Sequence, residues 1–294
     1  MKITAVIILY NCHNKTTLDN IRKIAMQVDK AILVDNSICF HQNFYSSIRN
    51  VIYIPQFKNI GIAAAQNVGI KKAFELQAEY VLLADPDSEV PDGAITKLLE
   101  KYRQLSDAGI LVGAIGSTAH DKKTGIPIPL HSDYIGNNKE LGVTEVTYVM
   151  NSISLIPKTM FKNAGLMDTD LFIDGVDCEW CWRATSLTGA RFFLHNDVII
   201  EHQLGLGMRK ILGKERSLAT PPRLYYQYRN FLWLSKRKYI PKEWIRLNRK
   251  KYIAKALYYP FFVSPRLDYL KNIIQGLYAG IHNPRADSKK AIRD

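Results

Sequence analysis

Cysteine is scarce in this chain, with four among 294 residues. Cys12 and Cys39 stand alone. Cys178-x-x-Cys181 has no second pair and no histidine at zinc-finger spacing, so no zinc site and no disulfide framework is expected. Reduced thiols in a cytoplasmic protein are the plainer reading. No run of about 18 apolar residues exists, which argues against a transmembrane helix. The opening residues, Lys2 to Tyr10, hold a short apolar stretch without a small-residue cleavage pattern. They fit a first buried strand better than a signal peptide. G-x-G-x-x-G and Walker A sequences are both missing, so neither a dinucleotide-binding fingerprint nor a P-loop is supported. There is no internal repeat and no low-complexity segment.

What is present is a globular composition, 47% apolar and 23% charged, enough for one large or two small domains. Charge is unevenly placed. Residues 209–294 carry 21 Lys/Arg against 5 Asp/Glu, a net of +16, so the remainder of the +13 chain is slightly acidic. Such a basic region suits nucleic acid or an anionic membrane surface. No nucleic-acid motif accompanies it and the first two-thirds is nearly neutral, so the membrane is the expected partner and nucleic acid is not.

Apolar runs at residues 3–9, 30–37, 50–55, 79–84 and 109–115 read as buried strands, separated by helical patterns opening near Thr17, within Asn59–Gly69 after a glycine entry, and at Pro91. This alternation predicts an α/β protein with a mainly parallel sheet and helices on both faces. Val143 to Ile156 reads as a strand pair. Phe172 to Ala184 reads as a loop entering a helix, and Ala190–Leu194 and Val198–His202 as two further strands. After Gly207 the chain becomes aromatic, basic and helical. Arg266 to Ile281 places Leu267, Leu270, Ile274, Leu277, Tyr278 and Ile281 on one helical face, the pattern of an interfacial amphipathic helix or of a helix packed on its own domain. The chain therefore divides into a body, 1–207, and a basic helical region, 208–294.

The stretch Val81-Leu82-Leu83-Ala84-Asp85-Pro86-Asp87-Ser88 runs a buried strand straight into Asp-x-Asp. It is good turn composition. It is also a pair of carboxylates at the sheet edge where α/β proteins bind ligands, and suits a hard divalent cation such as Mg²⁺ or Mn²⁺. Asp35 ends the second strand on the same edge, where it can meet a base or ribose. Asp87, helped by Asp85, can hold a metal on a diphosphate. A carboxylate across the site, Asp177, can take a proton from an attacking hydroxyl, with Asp174 and Glu179 as alternatives. Arg223 and Arg229 match phosphate geometry.

With these residues in view, the chain resembles the inverting family 2 glycosyltransferases of GT-A fold, and within them bacterial rhamnosyltransferases. The motifs are Val34-Asp35-Asn36-Ser37, Asn59-Ile60-Gly61-Ile62-Ala63 with Asn67 and Gly69, Asp85-Pro86-Asp87, Asp174-Gly175-Val176-Asp177, Glu201-His202-Gln203-Leu204-Gly205, and Tyr225-Tyr226 with Arg229-Asn230. Val176 stands where the family carries Glu. The resemblance implies nucleotide-sugar contacts at Asp35, Asn59, Gly61, Asn67, Asp85 and Arg229, metal ligation by Asp87, Asp85 and His202, and Asp177 as base. It further implies dTDP-β-L-rhamnose as donor, with hexosyl or galactofuranosyl donors and nucleotidyl transfer as alternatives. The implied acceptor is a polyprenyl-diphosphate-linked glycan, and the implied location is the inner face of the cell membrane, in synthesis of O-antigen or capsule.

Overall fold

A computed structural model describes residues 1–121, 134–138, 140–202, 208–211 and 214–283. Strands β1 (Ile3–Leu9), β2 (Lys30–Asp35), β3 (Val51–Pro55), β4 (Tyr80–Ala84), β5 (Val112–Asp121), β6 (Tyr134–Asn138), β7 (Val143–Val146), β8 (Ile153–Pro157) and β9 (Arg191–His202) form one sheet in the order β3-β2-β1-β4-β8-β5-β9-β7-β6. The core of the sheet is parallel: β3, β2, β1 and β4 run together, as do β5 and β9. β8 lies antiparallel between β4 and β5, and β7 and β6 add an antiparallel edge.

Alternation along the strands divides the core in two, because successive side chains point to opposite faces. Val6, Val81 and Leu83 face helices α3 (Ile62–Glu75), α5 (Lys158–Ala164) and α6 (Val176–Thr188). Ala5, Ile7, Leu9 and Leu82 face α1 (Lys15–Ala25) and α4 (Ala94–Asp107). α1 starts where the sequence signals it, with the Asn14 carboxamide oxygen accepting from the Thr17 N–H at 3.0 Å. α6 ends at Gly189, whose φ of +73° suits a residue without Cβ.

Two expected elements differ in detail. Ala190–Leu194 and Val198–His202 are not separate strands: β9 is continuous, with a bulge where Ser117 pairs His195 and Thr118 pairs Ile199. The extra residues are absorbed as an irregularity in the ladder. β7 and β8, read as a strand pair, do not pair with each other. β7 joins β9, and β8 inserts between β4 and β5.

A small ribbon of β10 (Met208–Ile211) and β11 (Lys214–Ser217) leads to helices α7 (Pro221–Leu234), α8 (Lys242–Phe262) and α9 (Arg266–His282). Trp233, Leu234 and Ile240 enter the same core as α6. A second small core gathers Leu224, Tyr228, Tyr259, Val263, Tyr269 and Ile273. α9 comes close to α7 through Gly276 and Gly280. A Cβ at 276 would stand 2.5 Å from the Tyr225 carbonyl, and one at 280 would stand 2.7 Å from Leu232. At 276 the contact is with backbone, which cannot rotate away, so glycine is required; at 280 it is with the Leu232 side chain.

Among the described residues no helix is long and apolar enough to cross a membrane. The α9 stripe does not turn inward. Leu267 is 80% exposed, and Leu270, Ile274, Tyr278 and Ile281 are exposed beside it. Of the expected stripe, only Leu277 packs against the small core. On α8, Ile253, Leu257, Phe261 and Phe262 are also exposed.

Candidate active site

Parallel pairing brings the C-terminal ends of β2, β1 and β4 to one edge, so Asp35 and the Asp85–Asp87 turn lie about two strand spacings apart, ~10 Å. Cys12, in the loop after β1, lies between them and feels both Asp35 and Asp87; burial is the main cause that raises its thiol pKa. The Asp-x-Asp segment is at once a turn and a presented site. The Asp85 N–H and the Ser88 hydroxyl both donate to the Ser152 carbonyl at the start of β8, at 3.2 and 3.1 Å. The Ser88 N–H returns to the Asp85 carbonyl. Ser88 is fully buried while Asp87 is exposed.

Burial, reinforced by the charges of Asp87 and Asp177, pushes the Asp85 pKa up to about 7. Asp87 and Asp177 are thus near enough to Asp85 to make its charge unfavourable. The Asp85 and Asp87 carboxylates are oxygen donors of the kind a hard divalent cation takes, and such a cation would relieve that repulsion. The end of β9 is brought to the same place, because Glu201 forms a β-bridge with Glu89, just beyond Asp87. His202 is the last residue of that strand. Its side chain, and the Gln203-Leu204-Gly205 part of its motif, lie outside the described residues.

The raised Asp85 pKa has a consequence for stability. In the unfolded chain this carboxyl titrates near 3.9, whereas the metal-free folded chain holds the proton to about 7. The folded state therefore loses stability as pH rises between those values, since the unfolded state releases the proton first. Asp85→Asn is expected to melt on the order of 5 °C above the native protein at pH 8 in EDTA. At pH 4 the two should melt together. Thermal scans at both pH values check this, and equal midpoints at pH 8 would show that Asp85 is not held protonated.

Asp35 is fully buried and heavily engaged. Its carboxylate accepts from the Ser37 N–H at 2.8 Å and the Tyr53 hydroxyl at 2.6 Å, with His41 Nδ1 at 3.3 Å and His13 Nε2 at 3.5 Å. Burial raises its pKa, but these hydrogen bonds and His13 outweigh it, and the net shift is downward. The His13 and His41 rings stack with centroids 3.4 Å apart. Together with Asp35 they form a His–Asp–His cluster. Stacked rings direct their in-plane lone pairs along nearly parallel planes instead of toward one point, so the cluster reads as a hydrogen-bonded support for Asp35. His13, His41 and Tyr53 carry no signal in the sequence, because their convergence needs two separate loops and β3.

Asp177 occupies the first turn of α6, and its Oδ1 accepts from the Cys178 N–H at 2.9 Å. The positive end of the helix stabilises its charge. Glu179, one of the alternative bases, is fully buried. Arg183 Nε lies 2.8 Å from its Oε1, with Arg237 at 3.1 Å and the Tyr239 hydroxyl at 2.6 Å. Asp168 closes the network through Arg237 at 2.5 Å. Asp174 pairs with Arg223 through both carboxylate oxygens.

The other expected contacts do scaffold work. Asn59 holds its own loop by accepting from the Gly61 N–H at 3.0 Å. Gly61, at φ +84°, leaves room for Phe172, whose ring a Cβ would meet at 2.5 Å. The Phe172 carbonyl then accepts from the Ile62 N–H at 2.7 Å, which caps α3. Asn67 has both ends of its carboxamide taken by the Met167 backbone, each at 2.9 Å. Arg229 donates to the Asp170 and Leu171 carbonyls and packs among Tyr225, Tyr226 and Trp233. The neighbouring Asn230 amide donates to the carbonyls of Leu171, Ile173 and Asp174 at 2.7–2.9 Å. These two side chains hold a loop in which Phe172 and Asp174 both have positive φ, and the loop delivers Asp177.

Residues 4–163 match the model of glycosyl transferase family 2. A curated relative, dTDP-rhamnosyl transferase RfbF of Shigella flexneri, is 29% identical over 289 residues, 95% of each chain. Among solved structures, residues 1–349 of S. aureus TarS align over 94% of this chain and 81% of theirs, with TM-score 0.57 and 14% identity. GalNAc-T7 with UDP, GalNAc and Mn²⁺ aligns over 95% of this chain and 56% of its own, with TM-score 0.52 and 15% identity. Those two likenesses concern the fold, which is GT-A. The chain belongs to glycosyl transferase family 2, and is a rhamnosyltransferase-like glycosyltransferase.

Proposed function

We propose that the chain moves L-rhamnose from dTDP-β-L-rhamnose to a hydroxyl of a polyprenyl-diphosphate-linked glycan at the inner face of the cell membrane, with inversion, in synthesis of a surface polysaccharide such as O-antigen. The observation that carries the reaction class is the convergence of Asp85, Asp87 and Asp177 on the edge that also holds Asp35. The donor draws support from the likeness to the Shigella flexneri enzyme along nearly the whole chain.

In this reading the nucleotide lies along the strand ends, with its base toward Asp35 and the Asn59–Gly61 loop, and its diphosphate at Asp85 and Asp87. Asp85, Asp87 and His202 would hold Mg²⁺ or Mn²⁺, which when bound neutralises the diphosphate. Asp177 accepts the proton of the acceptor hydroxyl. The new bond to C1 forms on the face opposite dTDP as the C1–O bond to dTDP breaks. Asn67 and Arg229 also act through the loops they hold. A donor screen that detects released nucleoside diphosphate tests this. Release should require the acceptor and be fastest with dTDP-rhamnose. Preference for another nucleotide sugar would replace rhamnose, and release of pyrophosphate would indicate nucleotidyl transfer.

The region 208–294 we assign to the membrane and the acceptor. The exposed α8 and α9 side chains form an apolar face on the most basic part of the chain, and each such side chain gains about 1.5–3 kcal/mol on leaving water. Leu267→Glu with Ile274→Glu is expected to lower sedimentation with phosphatidylglycerol vesicles at low salt at least about tenfold, leaving the thermal midpoint unchanged. Both positions are exposed, so a folding defect is not expected. Unchanged sedimentation would remove the membrane from this face.

A further inference from the structure

The acceptor-side wall of the site carries cations that the reaction as described does not use. Arg223 and Gln227 lie one turn apart on α7, and Lys251 and Lys255 lie one turn apart on α8. Gln227 Oε1 accepts from Lys255 Nζ at 2.7 Å, and the Tyr228 hydroxyl donates to the Tyr252 carbonyl at 2.6 Å, so the two rows face each other. At one end stands Asp174, held by Arg223 at 2.8 and 3.0 Å and separated from Asp177 by only two residues of chain. Asp174 is committed to Arg223 through both oxygens, and Lys255 feels the charges of Lys251, Asp174 and Arg223 together.

We propose that Arg223, Lys251 and Lys255 form a pocket for the diphosphate of the acceptor, next to the carboxylate that activates its hydroxyl. This rests on the reading above that the acceptor is diphosphate-linked.

A half-buried ammonium is normally paired. The partner Lys255 has is a neutral carboxamide, and burial together with Lys251 and Arg223 pulls its pKa down to about 7 against the opposing charge of Asp174. A dianionic oxyanion would restore the balance, and the guanidinium fork matches its oxygens. The donor's diphosphate is placed on the other side of Asp177, at Asp85 and Asp87. α8 would then turn its basic row inward to the diphosphate, while Ile253 and Leu257 face out.

Amine acylation of the full chain at pH 7 in EDTA, read by mass spectrometry, tests the pocket without turnover. Inorganic diphosphate should lower labelling of Lys255 at least about fivefold, and phosphatidylglycerol vesicles without it should not. No protection, or protection by vesicles alone, would overturn the proposal. Kinetics identify the source of the anion. Lys255→Met and Lys251→Met should each raise KM for a lipid-diphosphate-linked glycan about tenfold. Their KM for dTDP-rhamnose should stay within about twofold, and the preference for that glycan over an uncharged alkyl glycoside should fall about tenfold. A rise in donor KM instead would give the pocket to the nucleotide and end the proposal. Should the native enzyme not use dTDP-rhamnose, the donor reading fails while the labelling result still decides the pocket.

Discussion

Asp177→Asn is expected to lower sugar transfer by about 10²–10⁴-fold, the range a positioned general base supplies. The substitution keeps the size and the oxygen that accepts from the Cys178 N–H, and the residue lies at the edge of the site rather than in a core, so the thermal midpoint should move little. The loss should fall on kcat, with the KM for donor nearly unchanged. Asp87→Ala is expected to be equally inactive, but through weaker donor and metal binding, visible as loss of nucleotide affinity in the presence of Mg²⁺ or Mn²⁺. Steady-state kinetics with dTDP binding measured alongside separate the two. Full activity in Asp177→Asn would return the base to Asp174, the remaining half-buried carboxylate of that loop.

Glu179→Ala should behave in the opposite manner, damaging the fold before the chemistry. Removal of this carboxylate leaves Arg183 and Arg237, both nearly inaccessible to water, with an uncompensated charge. Breaking a buried pair in this way costs about 3–5 kcal/mol. For a chain of this size that corresponds to a fall in thermal midpoint on the order of 10 °C. The network ties α6 to Asp168 and to the segment after α7, so the loop that delivers Asp177 would loosen as well. Calorimetry checks the midpoint. A midpoint within a degree of the native protein would mean that the network does not hold these elements together.

Reading of the fold from sequence succeeded where local pattern and tertiary burial agree. The β1, β2 and β4 runs are largely apolar because both sheet faces are covered, and each leads into the polar residues of the candidate site edge. Asp35, Asp85 and Asp87 were legible for that reason. β8 was not, because nothing in Ile153–Pro157 tells which neighbours it will join. The antiparallel insertion between β4 and β5 is decided by packing at a distance. The same limit hid the environment of Asp35, since His13 and His41 come from separate loops and Tyr53 from β3. Asn67 and Arg229 carried a motif signal, and what the motif did not reveal is that both side chains also hold backbone carbonyls and N–H groups of neighbouring loops. Glu179 was read only as an alternative base, and its ion pair with Arg183, one turn on along the same helix, was not read. Arg237 and Asp168 become their partners only through the tertiary packing of the segment after α7.

The most direct test of the central claim is the anomeric configuration of the first product. Native enzyme, dTDP-β-L-rhamnose and a diphosphate-linked acceptor should be incubated to low conversion and the product read by NMR. A single displacement driven by Asp177 predicts an α-L-rhamnoside with one dTDP released per bond formed. A β-L-rhamnoside would contradict it, because a single displacement from the face opposite dTDP must invert C1.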